Sequence, residues 1–125
     1  MRIILADHHA QPRWGLKLLL EENSDFDLIG EAENTQDLLD LVEKNPVDLV
    51  LVDCELPGIY IEDLITSIHA LAPMATVITM SSDYENSRKM LKAGADAFVS
   101  KGEQADWLLE ILRKYEKQTR VGNGK

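Results

Sequence analysis

The chain has 125 residues, 45% of them hydrophobic, and its 13 basic and 22 acidic side chains give a formal net charge of −9. That length and composition suit one domain with a real core, and a negative surface repels phosphate backbones and anionic lipid, so this segment is not expected to bind nucleic acid or membrane directly. A single cysteine, Cys54, rules out an internal disulfide. There is no apolar N-terminal stretch of secretion-signal length and no run near the roughly 20 apolar residues of a membrane span, which makes a reducing, cytoplasmic setting the expectation.

Short apolar runs then alternate with amphipathic stretches along the chain, the pattern of strand and helix taking turns. Residues 3–6 read as a nearly all-apolar first strand, followed by Asp7-His8-His9, a set that suits a metal site, a base pair or a polar loop. The first helix is expected over 12–22, with Leu16, Leu19 and Leu20 on one face and Pro12 in the tolerant first turn. Residues 26–32 form a second strand whose alternation, Phe26, Leu28 and Gly30 against Asp27, Ile29 and Glu31, leaves one wetter face and fits a sheet edge.

Asn34 is a natural N-cap for a helix over 35–44. The third strand, 49–52, runs into Asp53, and Pro57-Gly58 turns the chain into a helix over 60–71. A fourth strand, 76–80, ends at Ser81-Ser82 before a helix over 84–93 that Gly94 closes in a left-handed cap. The fifth strand, 97–100, delivers Lys101, and the last helix, 104–117, aligns Leu108, Ile111, Leu112 and Tyr115. Residues 118–125 read as a linker stub or disordered tail. Cys54, Trp14 and Trp107 are expected in packing roles, and His69 as an exposed helical residue.

Five strand–helix pairs with an interior first strand and an edge second strand specify an α/β fold. It is a (βα)5 flavodoxin-like, doubly wound parallel sheet of order 2-1-3-4-5. Ligands in such sheets bind beyond the carboxyl ends of the strands where the order reverses, here between strands one and three. That rim collects Asp7, His8, Asp53, Ser81, Ser82 and Lys101. Strands about 4.8 Å apart would bring Asp7 and Asp53 into repulsion unless a proton or cation lies between them, and oxygen-preferring Mg²⁺ is the economical cation. The bland alternative has each acid capping its own loop, but the joint occurrence with Ser81 and Lys101 favours a functional rim.

The stretches IILADHHAQPRWGLKLLLEE, PVDLVLVDCELPGI and VITMSSDYENSRKMLKAGADAFVSKGE resemble the receiver domain of bacterial two-component response regulators, most closely those of the LuxR-type helix-turn-helix branch. The resemblance spans residues 1–117. It implies that Asp53 is the phosphoacceptor, that Asp7 and the backbone carbonyl of Glu55 join Asp53 in holding Mg²⁺, that Ser81 and Lys101 contact the phosphoryl group, and that Ser81 and Phe98 form the switch. It further implies a sensor histidine kinase as partner, a possible homodimer, a LuxR-type DNA-binding domain outside this chain, and a signalling phosphoprotein that takes part in its own phosphotransfer and autodephosphorylation, not a turnover enzyme.

Two positions depart from the family pattern. Lys101 is followed by Gly102, where the family most often has a proline after a cis bond, and cis before glycine costs about 3 kcal/mol. More consequentially, His8 stands where a second acid is expected, and imidazole suits zinc, copper or nickel better than Mg²⁺. His8 can turn away and leave weakened Mg²⁺ binding, recruit Mn²⁺ or another transition metal as a ligand itself, or, protonated, replace the cation. The rival to the phosphoacceptor reading is therefore an atypical, phosphorylation-independent receiver used as an interaction module. His9 is read as shaping the loop.

Overall fold

The computed structural model describes residues 1–102 and 105–123, and side chains as far as residue 117. Five strands, β1 (Arg2–Ala6), β2 (Asp27–Ala32), β3 (Leu49–Asp53), β4 (Thr76–Ser81) and β5 (Ala97–Ser100), alternate with α1 (Ala10–Glu21), α2 (Thr35–Lys44), α3 (Ile61–Leu71), α4 (Ser87–Lys92) and α5 (Ala105–Asn123). The strands pair in parallel in the order β2-β1-β3-β4-β5, as the alternation of elements predicts.

The all-apolar strands are explained by burial on both faces. Because side chains alternate across a strand, Ile4, Ala6, Val50, Val52 and Val77 pack against Leu38, Val42, Leu64, Ile65, Ile68 and Met90 of α2, α3 and α4. On the opposite face Ile3, Leu5, Leu49, Leu51, Ile78 and Met80 pack against Leu20, Leu108 and Leu112 of α1 and α5. The two edge strands, β2 and β5, have mixed burial patterns, in keeping with their positions. Asn34 caps α2 as expected, its side chain accepting from Asp37 N–H at 2.8 Å, and Gly94 adopts φ of +109° after α4.

The expected fourth helix is split. Asp83 accepts from Glu85 N–H at 3.0 Å and a single 3-10 turn covers Tyr84–Asn86, so regular helix begins only at Ser87. Trp14 and Trp107, expected to pack, are 63% and 47% exposed; each lies on the outer side of a helix whose inner face is already filled by leucines. His69 is half-buried and its Nε2 lies 3.7 Å from Asp96 Oδ2. Helix α5 runs on to Asn123, through much of the segment read as a stub or tail. Gln104, the expected start of α5, lies outside the described residues. No cis peptide bond occurs among the described residues. Nor is any described helix long and apolar enough to cross a membrane.

Two tethers set the ends of the sheet. At the amino end, Asp48 accepts from the Arg2 backbone N–H at 2.7 Å and from its guanidinium twice at 3.2 Å, which joins β1 to the approach to β3. At the carboxyl end, the β3–α3 loop is clasped to α2. Buried Thr35 donates its N–H to Pro57 O at 2.9 Å and accepts Ile59 N–H on Oγ1 at 3.1 Å. Gly58 lies between those contacts at φ +131°, where a Cβ would collide with Thr35 Oγ1.

Gly58→Ala is therefore expected to lower stability by about 2 kcal/mol, read as a reduced urea midpoint, through combined backbone strain and collision. Asp48 supplies a pH test. Burial pushes its carboxyl up, but the hydrogen bonds and charge of Arg2 outweigh this and hold it below 3.8. Its contribution is thus complete above pH 3.8 and is lost as pH falls through the lower folded value. The melting temperature of Asp48→Asn should lie below that of the wild type at neutral pH, with the gap closing at strongly acidic pH.

Candidate functional site

Register builds the site. Ala6 aligns with Val52 across the β1–β3 pair, so Asp7 and Asp53 emerge side by side at the carboxyl edge, 0% and 2% exposed. Lys101 leaves β5 two strands away, and its N–H donates to Ser81 O at 2.8 Å, continuing the β4–β5 ladder and fixing where its side chain starts. From there Nζ donates to Asp7 Oδ2 at 2.6 Å and Asp53 Oδ2 at 2.8 Å. Two buried like charges are thereby bridged by one ammonium, which compensates half of their charge at distances in the charge-assisted range.

The electrostatics follow. Burial raises the Asp7 carboxyl, but the Lys101 hydrogen bond, the His9 N–H and the Lys101 charge outweigh it and hold the group below its ordinary value. Burial likewise lowers Lys101, and its bonds to Asp53 and Asp7 more than reverse that, so its pKa is raised. The Cys54 thiol is pushed up, chiefly by burial, which fits an inert, half-buried packing residue.

The loops around the acids are tied down as firmly. Asp7 Oδ1 accepts His9 N–H at 2.9 Å, and Arg13 Nη1 donates to Asp7 O at 2.8 Å while pairing with Glu33 at 2.7 Å. Asp53 Oδ1 accepts Glu55 N–H at 3.0 Å, with the Glu55 side chain exposed. Ser81 Oγ is buried and accepts from Asp83 N–H at 3.0 Å and Asn86 Nδ2 at 3.1 Å. Phe98 is half-buried and meets Tyr84 edge-on, ring centroids 6.0 Å apart.

Asp7, Asp53 and Lys101 thus come into direct contact, with Ser81 on the neighbouring strand end. His8, flagged in the sequence, is exposed, its ring 3.8 Å from that of His9. His9, read only as loop structure, does more: its Nδ1 lies 3.1 Å from Asp7 Oδ1 and 3.4 Å from Asp53 Oδ2. Arg13, Thr35 and Asn86 were not flagged, and nothing in their local sequence distinguishes an arginine, threonine or asparagine that reaches a distant loop from one that faces water.

The two buried carboxylates suit Mg²⁺, which fills most of its octahedron with water, but the other convergent side chains, His8 and His9, are imidazoles that suit a softer cation.

The response regulator receiver domain family matches residues 3–113. The nitrate/nitrite response regulator protein NarL of Escherichia coli K12 is 30% identical over 114 residues, covering 90% of this chain and 53% of that protein. Response regulator UvrY of the same strain is 28% identical over 115 residues, with 90% and 53% covered. The chain spans about half the length of the curated relatives it matches. The solved structure of a LuxR family DNA-binding response regulator from Silicibacter pomeroyi superposes with TM-score 0.79 at 28% identity, over 94% of this chain and 93% of that one. A CheY-like receiver domain protein from Methanospirillum hungatei superposes at 0.85 with 26% identity and 97% of each chain covered. Sheet order, the acid–lysine–serine rim and these likenesses agree, and the chain belongs to the response regulator receiver domain family of two-component signal transduction.

Proposed function

We propose that this receiver accepts a phosphoryl group on Asp53 from the phosphohistidine of a sensor kinase and passes the event to an output domain or a dimer interface. Aspartyl phosphorylation and Mg²⁺ are general features of the family. The observation that carries the reading is the contact of Lys101 with both buried carboxylates, 2.6 and 2.8 Å, beside the buried hydroxyl of Ser81.

In the reaction a carboxylate oxygen of Asp53 attacks phosphorus, the P–N bond to the donor imidazole breaks, and the imidazole leaves with a proton. The product is an acyl phosphate. Phosphoryl transfer is mainly positioning and charge neutralisation. The Glu55 N–H on Oδ1 orients the nucleophile, and the Lys101 ammonium turns from its carboxylate contact to a phosphoryl oxygen.

A phosphoryl oxygen that takes the Ser81 hydroxyl competes with the contacts from Asp83 and Asn86. Asn86 closes the Tyr84–Asn86 turn, and Tyr84 packs on Phe98. Loss of the Ser81 contact therefore loosens α4 and the Phe98 edge, a two-state element of the kind a few kcal/mol can bias. Exposed Tyr84, Leu91 and Trp107 line the cleft beside Phe98 between α4 and α5, where a second copy or an output domain would dock. A LuxR-type DNA-binding domain is the output suggested by the relatives.

The second reading, a phosphorylation-independent interaction module, is favoured by one observation: His8 stands where the resemblance places a second metal-binding acid.

Incubation with acetyl phosphate, with Mg²⁺, with Mn²⁺ or with neither, followed by intact mass, separates the two. A single phosphoryl adduct is expected in the wild type and none in Asp53→Asn; no adduct with either metal establishes the second reading. Lys101→Ala should slow adduct formation by about 100-fold. Ser81→Ala should still be phosphorylated but lose the accompanying change in Trp107 fluorescence.

A further inference from the structure

We propose that Asp7, His8, His9 and Asp53 form a binding site for a borderline first-row divalent cation, Zn²⁺ foremost, at the corner where the family holds a hard cation. The proposal starts from the reading of this pocket as the working end of the receiver, but it stands on donor chemistry and geometry alone.

One ligand atom from each of the four residues can be chosen so that all lie within 4.8 Å of one another. Two of those spacings are already those of a coordination shell. Zn–N and Zn–O bonds of about 2.0–2.2 Å put neighbouring tetrahedral ligands about 3.3–3.5 Å apart. His9 Nδ1 lies 3.1 Å from Asp7 Oδ1 and 3.4 Å from Asp53 Oδ2. The His8 ring, 3.8 Å from that of His9, is on the solvent side and can close the fourth position by side-chain rotation.

The acids are buried and the imidazoles exposed, so the site has a rigid floor and an open entry. The floor is held by the surrounding bonds: His9 N–H on Asp7 Oδ1, Arg13 on the Asp7 carbonyl, and Glu55 N–H on Asp53 Oδ1. Outer contacts of this kind orient ligands and set affinity. Charge balance agrees, because a dication matches the two carboxylates in full whereas Lys101 offsets only one of their charges, and an entering ion would compete with Lys101 for Asp7 Oδ2 and Asp53 Oδ2. Two imidazoles beside two carboxylates suit zinc, cobalt or nickel better than Mg²⁺, which would use the carboxylates and leave the imidazole nitrogens aside.

The test uses untagged protein in non-coordinating buffer. Zn²⁺ affinity is measured by competition with a chromophoric chelator, Mg²⁺ affinity by titration calorimetry, and ligand geometry by the visible absorption of the Co²⁺ form. One Zn²⁺ per chain is expected, bound at least about 100-fold more tightly than Mg²⁺. His8→Ala and His9→Ala should each weaken Zn²⁺ by at least about tenfold with unchanged circular dichroism, and His69→Ala should have no effect. His8→Asp should shift the preference back toward Mg²⁺. Zn²⁺ binding no tighter than that of Mg²⁺, or unchanged in both His8→Ala and His9→Ala, would overturn the proposal. Because binding is read without phosphorylation, a zinc site on a chain that never takes a phosphoryl group would uphold this inference and sink the phosphoacceptor reading. Phosphorylation of a chain with no such site would do the reverse.

Discussion

The molecule is organised around one electrostatic constraint, a pair of carboxylates buried at the carboxyl edge of a parallel sheet and bridged by a single ammonium. Uncompensated, two such charges would cost several kcal/mol of desolvation and repulsion. The Lys101 contacts at 2.6 and 2.8 Å resolve that conflict, and they require three different strand ends to meet. The doubly wound order does this, because it puts β1 and β3 side by side at the point where the connections change hands and leaves Lys101 after β5 within one long side chain of both acids.

The edge is tied together by hydrogen bonds that run between its loops as well as within them. Thr35 at the start of α2 clasps the loop after Asp53, Arg13 of α1 spans from the Asp7 carbonyl to the acids beyond β2, and Asn86 closes onto Ser81. The site and the α4 face are thus parts of one network of hydrogen bonds. Ser81 is joined through Asn86 to the turn that carries Tyr84, and Tyr84 meets Phe98 edge-on.

Against this conventional frame, the His8-His9 pair alters the chemistry of one corner. A family that uses oxygen ligands for a hard cation here has a member whose convergent donors are half nitrogen. The rest of the pocket, Asp53, Ser81 and Lys101, is kept in contact or on adjacent strand ends, so the departure is confined to the imidazole side of the cluster.

The sequence by itself determined the fold class, the sheet order and the identity of the rim residues, because these follow from period-2 and period-3.6 burial and from the rule that ligand sites lie beyond strand ends. Strand and helix limits came within a few residues, and the split before α4 was hidden because it depends on Asn86 reaching Ser81 and on the Asp83 cap. Burial of the two tryptophans was misjudged for a related reason: an aromatic on a helix reads as core until neighbouring leucines are seen to fill that face. Tertiary structure alone decided that His9, and not only His8, faces the acids, since loop direction after β1 is set by the Asp7 and Arg13 hydrogen bonds and has no periodic signature. It alone decided, too, that Gly58 must be glycine, because the atom that excludes a side chain there belongs to Thr35, far away in the chain and adjacent only once α2 has packed.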